Sequence, residues 1–211
     1  MNRAVKTIVS VFGIILGLSV INHGLFEALQ GNIQTPGLIV QAIGPATRFW
    51  VHGTEEAFTI VPNFLITGIL AMMVGIAIIV WSIWFVYKKF GSTGFILLFV
   101  LSFLVGGGIG QIAFFVPLWI FSMQISKSIS KQRKILHEHT TGLLSRVWPY
   151  TLSLASVLFI FALEIAIFGV VPGLADVDKR LYFCWSLLGV GFLTLLLTFF
   201  SGLASDVESK L

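Results

Sequence analysis

Apolar residues run along this chain in blocks too long for the interior of a small soluble domain. The first block, about Thr7 to Leu29, follows Arg3 and Lys6. A second covers about Glu55 to Tyr87 and stops at Lys88 and Lys89. A third, Phe95 to Phe121, is interrupted by Gly106, Gly107, Gly108 and Gly110. A fourth runs from about Val147 to Val171 and ends at Pro172 and Gly173, and the last covers Leu181 to Leu203. A helix crosses hydrocarbon with roughly 20 apolar residues. The pattern therefore predicts an all-α integral membrane protein: one transmembrane domain over residues 1–211, built as a bundle of five or six segments. The loop Gly31 to Thr54 carries Pro36, Gly44 and Pro45, and its stretch Leu38 to Ile43 is apolar enough to touch the interface. No small-x-small cleavage site follows the first block, so it reads as an uncleaved span with its amino end inside.

Composition fixes the class. Of 211 residues 57% are hydrophobic and 10% charged, and mean hydropathy is +1.00. Soluble domains average about 25% charged residues, so too few charges remain to coat a water-facing globule. The net charge of +4 reads as membrane topology. Nucleic-acid binding would need stacking aromatics beside the basic run Lys127–Arg146, and there are none. A single cysteine, Cys184, excludes an intrachain disulfide. Trp50, Trp81, Trp84, Tyr87, Trp119, Trp148, Tyr150, Tyr182 and Trp185 fall near block ends, the depth that amphipathic rings favour.

Charge also bears on the third block. If it crosses once, six Lys or Arg lie inside and seven outside, which is no bias. If it enters and returns, ten lie inside and only Arg48, Lys179 and Arg180 outside. The positive-inside rule favours the hairpin, with both termini cytoplasmic in a multi-pass protein of the cell membrane. The alternative is one long helix whose Gly106 and Gly110 form a close-packing face.

Several polar residues interrupt the apolar blocks. His23 and Glu27 sit four apart and Gln30 three further on, one face of a helix. His52, Glu56, Thr59, Asn63 and Thr67 are spaced 4, 3, 4 and 4, a second stripe if that segment is helical. Glu164 stands alone within Phe159–Phe168. The hairpin layout gathers His23, Glu27, Glu56, Asn63, Gln111 and Glu164 into one outward-facing pocket. Imidazole and carboxylate suit a divalent metal, with His23, Glu27, His52 and Glu56 the candidate ligands, and two histidines on adjacent helices suit haem less well. Each residue also has a structural reading. Thr54-Glu55-Glu56 resembles a capped helix start, His23 and Glu27 an internal pair, and Asn63 an interhelical bond. His137 and His139 read as solvated face beside Lys131, Arg133 and Lys134, within a candidate interfacial helix Ile125–Leu144. Gly13-x-x-x-Gly17 suits helix packing, internal or with a partner. No P-loop, GxSxG, HExxH or CxxC is present.

His52-Gly53-Thr54-Glu55-Glu56 resembles the H-x-x-E-E signature of a family of small bacterial and archaeal membrane proteins of unknown function. That resemblance singles out His52, Glu55 and Glu56 and implies no activity. In this chain a whole span precedes the motif, whereas in the family it lies near the amino end. The outline of six segments, a long first outer loop and a Gly-broken element resembles the substrate-binding subunits of vitamin-type uptake transporters. Three functions stay open: a metal or small-molecule site with or without catalysis, a solute-capture component, and a non-catalytic subunit joined to a membrane partner or a second copy. No catalytic residue is assigned.

Overall fold

The computed structural model describes residues 2–127 and 141–209. It is a helical membrane protein with helices α1 Arg3–Leu29, α2 Phe64–Trp84, α3 Gly91–Leu104, α4 Ile112–Ser122, α5 Thr141–Phe168 and α6 Val177–Glu208. Four of them, with α5 counted from Leu144, are long and apolar enough to cross a bilayer. A small antiparallel pair, β1 Ile39–Gln41 and β2 Glu56–Phe58, accompanies the helices, with Val40 opposite Ala57. His137, His139 and most of the Ile125–Leu144 segment lie outside the described residues.

The helices run between two ends of one bundle. At the first, here the terminal end, Asn2 donates from its side chain to the Gln124 carbonyl at 2.7 Å. There the backbone N–H groups of Ala4 and Val5 donate to the two carboxylate oxygens of Asp206, each at 3.0 Å. The start of α1, the exit from α4 and the last turns of α6 therefore meet. At the opposite, loop end, Trp50 donates to the Ala166 carbonyl at 2.9 Å and His52 contacts Asp178 at 3.0 Å.

The third apolar block breaks where the glycines cluster. Helix α3 ends at Leu104 and α4 starts at Ile112. The two return to the same end, with Phe99 stacked on Phe115 at 4.2 Å between ring centroids. At 1.5 Å per residue, 14 and 11 residues extend about 21 and 17 Å, short of a bilayer core of about 30 Å. The turn lies inside the bundle, where irregular backbone persists only if protein or water satisfies it.

Helix α2 starts at Phe64, nine residues later than the sequence pattern predicts. Val61 precedes Pro62, and the proline ring disfavours helical backbone at that residue. Asn63 then caps the helix, its side-chain oxygen accepting from the Ile66 N–H at 3.1 Å. Residues 52–63 are consequently loop and strand, so the polar stripe from His52 to Asn63 does not form. The fifth helix ends at Phe168, with Gly169 at φ 65°, and the sixth runs on to Glu208.

Helices α1 and α2 pair closely. A methyl group at Gly17 would collide with Gly75, and one at Gly24 with Gly68, so matched glycines seven apart let the backbones touch. Gly13 fits against Ser82 of α2. This places the small-residue face of α1 inside the protein. Phe12, Phe95, Phe115 and Phe199, all fully buried, form the apolar centre below the polar site.

Candidate functional site

His23 and Glu27 lie on successive turns of α1 toward the loop end, and both are buried. The glycine break covers them. A methyl group at Gly106 would overlap both carboxylate oxygens of Glu27, and one at Gly108 would meet the His23 ring. Both glycines take positive φ, 97° and 87°, a conformation other residues adopt at a cost. Backbone hydrogen bonds hold the break beside β2. Gly106 N–H donates to the Phe58 carbonyl at 2.9 Å, Ile109 N–H to Glu56 at 3.0 Å, and Thr59 bridges Val105. Gln111 reaches the same wall, its amide donating to the Ser19 hydroxyl at 3.0 Å.

The partner of His23 is Glu55. Its carboxylate meets His23 Nε2, while His23 Nδ1 is buried with no hydrogen-bond partner among the described residues. Burial pushes the Glu55 carboxyl up, but the charge and hydrogen bond of His23 outweigh it and hold that carboxyl below the usual range. An ionised Glu55 accepts the Nε2 proton. Glu55 is 38% exposed and His23 7% at their side chains, so the pair runs from the surface into the bundle. Beside it Ser19, Asn22, Phe26, Ile43, Leu163 and Ile167 line a narrow recess with space for about one water molecule.

Glu27, one turn further along the same face, lies against the break and Thr67 of α2. Neither of its oxygens has a hydrogen-bond partner among the described residues by geometry, although the Thr67 hydroxyl lies beside it. Thr67 donates its one proton to the Val105 carbonyl at 2.8 Å. Thr59 is then the donor in the 2.6 Å contact between the two threonine hydroxyls. The one hydrogen of the Thr67 hydroxyl thus has the Val105 carbonyl and the Glu27 carboxyl as competing acceptors.

The six-residue pocket expected from sequence is therefore divided. The structure brings together His23, Glu27 and Gln111. It does not add Glu56, Asn63 or Glu164. Glu56 is exposed on β2, lining with Gln30, Gln41, Pro36 and Phe64 an open cleft of about 460 Å³. Asn63 caps α2 and donates to Asn32 at 2.7 Å. Glu164 is exposed on α5, because the buried face of that helix is the one carrying Phe159, Ala162 and Ile165. The four-residue metal set fails as well. His52 pairs with Asp178, away from His23, because residues 52–63 do not extend α2. No group of three or more His, Cys, Asp or Glu side chains is placed to hold a metal among the described residues.

Sequence reasoning missed Glu55 as a site residue because Thr54-Glu55-Glu56 imitates a helix start. The resemblance to the H-x-x-E-E pattern did single it out. No family, curated protein or solved structure matches this chain.

Proposed function

We propose that this membrane protein binds and releases a proton at a site made by His23 and Glu27, reached from the loop end through Glu55. The observation that carries the reading is a fully buried carboxyl, Glu27, neither oxygen of which has a hydrogen-bond partner among the described residues. An ionised carboxylate enclosed this way lacks the compensation a charge needs, so its proton is part of the site. The recess beside His23 has space for about one water, which favours a proton over a larger solute. Ionisable residues inside spans commonly mark proton pathways. The Gly-broken α3–α4 turn lies against both groups, so a change of charge at Glu27 acts directly on the element least fixed by helix hydrogen bonds. That coupling favours a transport-type component over an enzyme, which would need room for a substrate beside the acid–base pair.

Counting protons tests this. Purified protein in nanodiscs, titrated with a pH-sensitive dye, should take up about one proton more than Glu27→Gln over the same pH interval. Superimposable uptake curves for the two proteins would remove the proton site and favour a purely structural role.

A further inference from the structure

Glu164 is exposed on α5 within a stretch apolar enough to cross a membrane. Val157, Ile160, Phe161 and Phe168 around it are exposed as well, so the helix offers it no local partner. Glu164 makes no hydrogen bond or ion pair among the described residues. A carboxylate on the lipid side of a span is unfavourable, and such residues normally face protein or a watery cavity. Among the described residues nothing covers it.

The depth of Glu164 points to the occupant. Cys184 Sγ donates to the Ala162 carbonyl at 3.4 Å, which levels those two residues across the antiparallel α5–α6 pair. Glu164 is then level with about Tyr182, and Lys179 sits three residues, about 4.5 Å, nearer the loop end. Lys179 is 69% exposed, and its nearest acid, Asp176, is a loose 3.9 Å away. Lys179, Tyr182, Ser186 and Gly189 share one face of α6 at spacings 3, 4 and 3. All four are exposed, and a methyl group at Gly189 would meet nothing within 4 Å. Small residues on an exposed membrane helix allow another helix to approach closely.

We propose that the exposed face of α5 and α6 is a homodimer interface in which Glu164 of one copy pairs with Lys179 of the second. A two-fold axis along the membrane normal keeps equal depths in both copies. It also makes the contact self-complementary, so each copy contributes one acid and one base. The proposal does not rest on the proton site at His23 and Glu27.

Charge reversal in trans tests it. Donor- and acceptor-labelled chains are mixed in proteoliposomes and pairing is read by energy transfer. Glu164→Lys mixed with Lys179→Glu should pair in preference to either variant with itself by about tenfold, because every contact in the mixed dimer is attractive and every contact in the like dimers repulsive. Statistical mixing would overturn the interface. The double variant, Glu164→Lys plus Lys179→Glu in one chain, should regain self-association. Single-molecule photobleaching of the wild type covers the case in which a swapped chain fails to fold. Two-step traces are expected, and single-step traces at every surface density would overturn the proposal, leaving a different protein or a lipid amine as the cover for Glu164.

Discussion

Gly106→Ala separates the two demands that the structure places on the glycine break. The first is backbone conformation. At φ 97° an L side chain is strained, typically by about 1–2 kcal/mol. The second is contact, because the new methyl group would occupy the space of the Glu27 carboxylate oxygens. Forcing extra atoms into a filled site costs typically about 1–3 kcal/mol. The expected destabilisation is the sum, about 2–5 kcal/mol. Gly31 supplies the control, since it has φ 91° and a methyl group there would meet nothing within 4 Å. Gly31→Ala should therefore show the conformational part alone. Unfolding in detergent or nanodiscs measures both. The double change Gly106→Ala plus Glu27→Ala should recover the contact part, appearing as a coupling energy of about 1 kcal/mol or more. If Gly106→Ala is no worse than Gly31→Ala, or if the double change is strictly additive, the break does not press on Glu27 and the site as described is wrong.

Three further outcomes follow from other contacts. Glu55, held below the usual carboxylate range by His23, contributes stability that is fully present above its unfolded pKa and is lost as pH falls through the lower folded value. Acid melting curves should show this slope in the wild type and lose it in Glu55→Gln, with an effect kept small by the 38% exposure of Glu55. Asp206→Ala removes two bonds from a buried carboxylate to the first turn of α1. It should lower stability by about 3 kcal/mol, with Asp206→Asn intermediate, as read by thermal unfolding. A cysteine at Ser209 in a Cys184→Ser background should react with impermeant reagent only from the cytoplasmic face, in line with the ten-to-three charge count. Labelling from outside intact cells would reverse the orientation.

The long helices were legible in the sequence because apolar runs of membrane length admit few other readings. The broken third block was legible too, since four glycines within Gly106–Gly110 weaken a helix and the charge count favours a hairpin over a single crossing. The start of α2 was not. Thr54, Glu55 and Glu56 carry the chemistry of a helix cap, and only the effect of Pro62 on Val61 and the capping bond of Asn63 reveal the later start. That one shift removed Glu56 and Asn63 from the pocket and made Glu55 the partner of His23. Glu164 failed for a different reason. Its depth along α5 could be read from sequence, but the rotation of a nearly uniformly apolar helix could not, since no polar stripe fixes its buried side. His23 and Glu27 stayed together because two residues four apart share a face whatever their neighbours do.

If Glu27 holds a proton inside the bundle and exchanges it with the loop end through His23 and Glu55, that proton is visible spectroscopically. Infrared difference spectra recorded while pH is changed report directly on protonated carboxyl groups. A carboxylic C=O band should titrate in the wild type, disappear in Glu27→Gln, and persist with an altered midpoint in Glu55→Gln. A titrating band that survives Glu27→Gln unchanged, or no such band at any pH, would contradict a proton held at Glu27.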